Sequence, residues 1–232
     1  MRIALARRIG LSLAVAAGCA ASAPPPSVQV FLLDPARSRV LVHVGKAGLF
    51  SFAGHTHEVA APVRTGRVEY DPADPTRSTI VLEFDAAALR VTGRGEPAGD
   101  VPEVQRTMLG PRVLDAERFP SIRFQSRAIR LAGASTGEGG DRAQAPPGET
   151  GARRGRRLSL AVTGDLTLHG VTRSVSTQVD ATVDSDELVA GGRLQIRQTD
   201  FGIRPVTAGA GTVRVKDALE IEFSLVARRA GE

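Results

Sequence analysis

The sequence predicts a single all-β domain of about eight antiparallel strands with one short helix. Apolar residues recur at every second position through most of the chain, turn residues punctuate those runs, and one stretch alone breaks the period. Alternation of this kind puts one face of each strand in a core and the other in water.

In "SRVLVHV", Val40, Val42 and Val44 share a face, and in "STIVLEF" so do Ile80, Leu82 and Phe84. The exception is "DVPEVQRTMLGPRVLD", residues 100–115, which predicts a helix from 102 to about 109 with Val101 and Val104 toward the core; Gly110-Pro111 ends it. "RLSLAVTGDLTL" sets Leu158, Leu160, Val162, Leu166 and Leu168 against Ser159, Thr163, Asp165 and Thr167. "SVSTQVDATV" aligns Val175, Val179 and Val183; "LVAGGRLQI" aligns Ala190, Gly192, Leu194 and Ile196. "ALEIEFSLVA" aligns Leu219, Ile221, Phe223 and Leu225 against Glu220, Glu222 and Ser224. Asp71-Pro72, Asp74-Pro75, Gly170 and Asp184-Ser185-Asp186 separate the runs. Such a sheet closes as a barrel or packs as a sandwich. An eight-stranded barrel is either filled by side chains or holds one small ligand, and alternation does not choose between them.

The first residues have another character. "MRIALARR" is basic, "IGLSLAVAA" is a short apolar run, and "APPPS" reads as a tether. The expected organisation is an export signal over 1–18, a tether over 19–27 and one domain over 28–229. Ala16-Ala17-Gly18-Cys19 resembles a lipobox with Ala in place of the usual Leu, so Cys19 is the candidate for lipidation and membrane anchoring. The competing A-x-A site, Ala21-Ser22-Ala23, is followed by Pro24. Cys19 is the only cysteine, so no disulfide forms within the chain and its stability comes from burial. The expected localisation is the periplasm, free or as an anchored lipoprotein.

Residues 132–157, "AGASTGEGGDRAQAPPGETGARRGRR", are too poor in apolar side chains to build a core and are predicted to be a disordered insertion at a hairpin tip. The formal charge of +5 falls to +2 once Arg2, Arg7 and Arg8 leave with the signal. With no Trp and one Tyr, the chain lacks the basic, aromatic-studded face of a nucleic-acid binder.

Catalytic signatures are absent from the sequence. The one G-x-S-x-G match, residues 133–137, falls in the Gly-rich stretch 132–157 with no strand-to-helix pattern to make an elbow, and there is no phosphate-binding loop and no G-x-G-x-x-G fingerprint; "GAGTVRV", residues 209–215, has no following helix and reads as a turn. Glu220 and Glu222 read as a solvated outer face. The expectation is a protein that is not an enzyme and uses no cofactor. The four histidines are the exception to weigh. His55 and His57 in "GHTHEV" share a strand face and are weak candidates for a metal, but a site needs a third ligand from another element, and His43 or His169 would have to converge on them. The simpler reading places His55 and His57 at a strand entrance, facing solvent or the rim.

The order of motifs is informative. "FLLDPARSRVLVHV", "RTMLGPRVLDAERFPSIRFQS", "VTGDLTLHGVTRSV" and "QTDFGI" in succession, from about Phe31 to Ala227, resemble the YceI-like family of bacterial periplasmic proteins. The resemblance implies a lipocalin-like antiparallel barrel holding a long apolar lipid, a polyisoprenoid or an isoprenoid quinone, in an elongated internal pocket. It makes the inward apolar set a ligand wall: Val42, Ile80, Leu82, Phe84, Phe124, Leu160, Val162, Leu166, Leu194, Ile196, Ile221 and Phe223. Such a ligand binds by burial of apolar surface, about 25 cal/mol per Å2, without directional chemistry. Ala190, Gly192 and Ala227 would leave room for the chain unless large neighbours fill the space. Pro120 is expected to fix the helix-to-strand corner, Gly164 and Gly170 to allow close approach or turning, and Phe201 to plug one barrel end. The alternatives are a structural envelope module that binds a protein partner, with a filled barrel, and a histidine-dependent metal or redox protein acting on an isoprenoid. Neither composition nor motifs indicate an oligomeric state.

Overall fold

The structure is a computed structural model that describes residues 28–47, 57–94, 97–132, 155–208 and 213–231. The predicted signal and tether, His55, and residues 133–154 of the predicted insertion lie outside the described residues. Among the described residues the strands are β1 (Gln29–Leu33), β2 (Arg39–Ala47), β3 (His57–Ala60), β4 (Val63–Tyr70), β5 (Thr79–Asp85) and β6 (Arg90–Val91). The helix α1 (Val101–Leu109) follows, then β7 (Ser121–Leu131), β8 (Arg156–Leu168), β9 (Val171–Val183), β10 (Glu187–Arg197), β11 (Thr207–Ala208) and β12 (Val213–Arg229).

These strands form a closed antiparallel barrel of eight staves. The ring runs β1-β4-β5-β7-β8-β9-β10-β12, and β12 returns to β1 through Phe31↔Arg229 and Leu33↔Ala227. Closure leaves no open edge in the ring. Three staves are bent in the middle, so that β2, β3 and β6 continue β1, β4 and β5 in the same order. Each bend has a local cause. Between β1 and β2, Ser38 Oγ accepts from the Val226 N–H at 3.1 Å and donates to the Val226 carbonyl at 3.2 Å, replacing a strand partner. Between β3 and β4, Pro62 has no N–H to donate. Between β5 and β6, a turn over residues 86–88 docks on the helix-to-strand corner through Ala86 N–H to Pro120 O at 2.8 Å.

β8 begins at Arg156, inside the stretch that composition assigns to the insertion. Arg156 and Arg157 pair in register with Val183 and Thr182, so backbone ladder bonds carry the strand two residues into a polar, Gly-rich sequence. Along β8, Leu158, Leu160, Val162, Leu166 and Leu168 are all buried, as the period requires. The gap at Gly164 is steric: a Cβ there would lie 2.5 Å from Phe124 Cζ and 2.6 Å from the Gln125 carbonyl oxygen. Gly170 turns β8 into β9 at φ +71°, with the Phe119 ring against its α-carbon.

Two buried clusters form the core. One, at the end that carries α1, includes Val59, Leu89, Leu114, Leu168, Phe201 and Ile203; the other, at the far end, includes Phe31, Tyr70, Ile129, Leu158, Val183 and Ala227. Leu33, Phe124 and Phe223 touch both. α1 lies across its end with Val101, Val104, Met108 and Leu109 packed on the first cluster. Gln105 pins it to the barrel by donating to Leu89 O and accepting from Val91 N–H, both at 2.8 Å. Gly110, followed by Pro111, stops the helix.

The same end is closed below α1 by the turn at residues 198–203. Phe201 is 1% exposed, and its carbonyl is met by His169 Nδ1 at 3.2 Å. Asp217, in the bulge of β12, ties this turn down: Thr199 N–H at 2.9 Å and Thr199 Oγ at 2.8 Å donate to its carboxylate. The backbone N–H of Thr199 is the main cause that holds Asp217 below the ordinary carboxylate range, against a partial burial that pushes the other way. A lowered folded value stabilises above the unfolded pKa of about 4, and that contribution is lost as pH falls through the folded value. Asp217→Asn is therefore expected to cost about 1 kcal/mol at pH 7, limited by solvent screening, and progressively less as pH falls below about 4. Urea titrations of both proteins across this range test it; a pH-independent difference would show that the carboxylate charge is not involved.

Candidate functional site

A cavity of about 850 Å3 runs through the barrel from the helix end to the far end. β8 lines it from Leu158 to Leu168, ten steps of a strand, or roughly 33 Å along the strand direction and less along the axis because barrel strands tilt. The volume sits within the roughly 300–1,000 Å3 of ligand pockets.

Each residue of the inward set has a place here. Val42, Ile80, Leu82, Phe84, Phe124, Leu160, Val162, Leu166, Leu194, Ile196, Ile221 and Phe223 all line the cavity. Several, such as Val42, Ile80, Leu194 and Ile221, are only half-buried although they point inward; the surface they expose faces the cavity. The small residues divide. Ala190 lines the cavity, whereas a Cβ on Gly192 would meet Phe223 Cζ at 2.7 Å, so the Phe223 ring already occupies the space Gly192 leaves. Ala227 is completely buried and belongs to the far-end core.

Apart from Thr177 on β9, whose hydroxyl donates to the Arg193 carbonyl, the polar lining groups sit at the two ends. The charged residues among the lining all come from one segment, Asp100, Glu103 and Arg112, on α1 and its flanks, with Thr107 between them. They are exposed or nearly so, which makes the helix end the wet one. At the far end the lining includes Tyr70, Pro75 and Ser78, and the turn over residues 71–78 folds across the opening. Asp71 Oδ1 accepts from Ala73 and Asp74 N–H, Asp74 Oδ1 accepts from Thr76 N–H and Oγ–H, and Arg77 lies 3.8 Å from Asp71.

Sequence reasoning missed these end groups. Tyr70 was within reach of the period-2 signal, two residues after Val68 in "VRTGRVEY". The lining face of the 100–112 segment has no such signal, because a helix that covers a mouth shows the same residues as a helix that covers a core.

The histidines do not gather. His57, the first residue of β3, lines the cavity, while His43 on β2 points outward, with Nδ1 4.0 Å from Glu58 and Nε2 3.8 Å from Glu222. Neighbouring register, Val44↔His57 and His43↔Glu58, forces the two onto opposite faces. His169 packs against Phe119 at the β8–β9 turn, ring centroids 4.6 Å apart and tilted by 60°. Among the described residues no three His, Cys, Asp or Glu are grouped to hold a metal. Glu58, 8% exposed, is held by Thr92 Oγ at 3.1 Å and by Arg94 at 3.7 Å as an outer-face tie between β3 and the strand leading to α1.

The model of the YceI-like domain matches residues 31–227, nearly the whole barrel. The chain belongs to the YceI-like family. A UPF0312 protein of Pseudomonas putida (strain W619) is 24% identical over 161 residues, covering 67% of this chain and 68% of its own length. BcnA of Burkholderia cenocepacia superposes on this YceI-like barrel with a TM-score of 0.55 at 21% identity, over 84% of this chain and 98% of its own, a likeness of fold. A Campylobacter jejuni YCEI protein has a TM-score of 0.47 at 12% identity, over 75% of this chain and 82% of its own. The YceI-like barrel and its internal cavity are consistent with a binding protein.

Proposed function

We propose that this YceI-like protein is an exported, non-enzymatic carrier that holds a long apolar lipid, a polyisoprenoid or an isoprenoid quinone, inside its barrel. The observation that supports this most directly is the cavity: elongated, walled by aliphatic and phenylalanine side chains, and without a charged residue between its ends. An interior of this kind gains from a ligand that fills it with CH2 groups. A filled barrel, which the structural-module reading requires, is not what these side chains build, and the separation of His43 from His57 across the sheet works against a histidine centre.

Native mass spectrometry of protein produced in a bacterial periplasm tests the proposal. The expected result is an added mass of several hundred daltons that extracts into organic solvent and fragments as an isoprenoid. A bare protein mass under conditions that preserve complexes would overturn it.

Export and anchoring rest on the sequence at Cys19. Cys19→Ser is expected to move the protein from the membrane fraction to the soluble periplasmic fraction, with loss of the acyl-chain mass from the first mature residue. An unchanged fractionation would remove lipid anchoring from the proposal and leave the barrel's role as it stands.

A further inference from the structure

The far end of the cavity carries two hydroxyl groups whose hydrogens have no acceptor among the described residues. Tyr70 is the only tyrosine of the chain, is 5% exposed, and lines the cavity. Its ring is fixed edge-on by Phe31 at 6.4 Å. Its oxygen accepts a long bond from Arg156 Nη1 at 3.5 Å, and that guanidinium is itself anchored by the Pro72 carbonyl at 2.8 Å. Among the described residues nothing accepts from the Tyr70 hydroxyl. Ser78, also on the lining, accepts from the Asp71 N–H at 3.1 Å and likewise donates to nothing. Buried hydroxyls are ordinarily paired, and an apolar tail leaves the buried Tyr70 hydroxyl unpaired, with the half-buried Ser78 hydroxyl beside it at the same end. No charged side chain lines this end, because Asp100, Glu103 and Arg112 all lie at the other.

Resting on the lipid-carrier reading, we infer that the far end is a carbonyl-binding subsite and that the ligand enters oxygen-first. The fitting chemistry is a neutral acceptor oxygen on an otherwise apolar chain: a ketone, quinone or ester carbonyl. Arg156 donates to the Tyr70 oxygen and polarises the hydroxyl, which strengthens it as a donor to the ligand. A carboxylate or phosphate would have to leave its charge on the apolar lining, because the guanidinium at this end, Arg156, lies behind Tyr70 off the lining and is held by the Pro72 carbonyl. The tail then runs toward the helix end.

The test is displacement of the uncharged fluorophore N-phenyl-1-naphthylamine from delipidated protein by 2-heptadecanone, heptadecane and heptadecanoate. The parent protein is expected to bind the ketone about five- to tenfold more tightly than the hydrocarbon. Tyr70→Phe keeps the ring against Phe31 and is expected to erase that preference while leaving heptadecane affinity and thermal unfolding unchanged. A ketone preference that survives in Tyr70→Phe, or an equal loss for ketone and hydrocarbon, overturns the subsite alone. A larger loss for heptadecanoate than for the ketone overturns the neutral-carbonyl class. If no probe enters the parent protein, the lipid-carrier reading falls and the subsite with it.

Discussion

Replacing Phe201 with alanine is expected to destabilise the barrel by about 3–5 kcal/mol, the range for emptying a fully buried aromatic site. For a domain of this size that is a fall in melting temperature of roughly 10 °C or more. Phe201 is one of the two large side chains with almost no exposure, it packs in the helix-end cluster with Leu168 and Ile203, and its backbone carbonyl meets His169. The site cannot collapse easily, because Asp217 and the buried Gln198, which donates to the Lys216 carbonyl at 2.8 Å, hold the turn in place. Urea unfolding followed by circular dichroism measures the effect. A loss under 1 kcal/mol would mean that the turn repacks and that Phe201 does not close the barrel.

A second large effect is expected inside the cavity. Ala190 projects inward from β10, opposite Ala181 on β9 and Leu225 on β12. Ala190→Phe places a ring in the void without a charge or an unpaired polar group. Lipid occupancy in periplasmically produced protein is expected to fall at least tenfold, while the apo protein keeps its melting temperature or gains a few degrees from the added apolar contact. The matched control is Val189→Phe, one residue away on the outer face, where the side chain is 38% exposed and a ring reaches no cavity. Equal occupancy in Ala190→Phe and the control would place any bound lipid outside the barrel.

Much of the architecture was legible because a barrel repeats one rule. Leu158, Leu160, Val162, Leu166 and Leu168 announce an inward face at every second position, and the same rule picks out the twelve lining residues across six strands. β6 and β11 have two residues each and cannot show a period. Arg156 and Arg157 show a different limit: composition describes what side chains can bury, whereas these residues are in a strand because the backbone of β9 pairs with them. Whether the interior is filled depends on side-chain volumes summed around the ring. Gly192 and Ala190 are both small and two residues apart, yet Phe223 fills the space at one and the cavity remains at the other. Tyr70 and Ser78 line the same end only because the turn over residues 71–78 folds back on the end of β4, where Asp71 N–H donates to Ser78 Oγ, a relation that the period of β4 does not contain.

The seam between β1 and β12 also bears on the order of events during folding. Phe31 pairs with Arg229, roughly two hundred residues away along the chain, and β12 must also zip to β10 over eleven positions and to β2 before the ring is complete. Contacts that distant carry a large loop-closure entropy and place such a topology among slow folders. Until β12 joins, the β1 and β10 backbones are unpaired on that side and the apolar lining lies open to any neighbouring chain. A chain that lacks β12 is therefore expected to aggregate as an open sheet and not to form a smaller barrel, because closure has no substitute for the final strand.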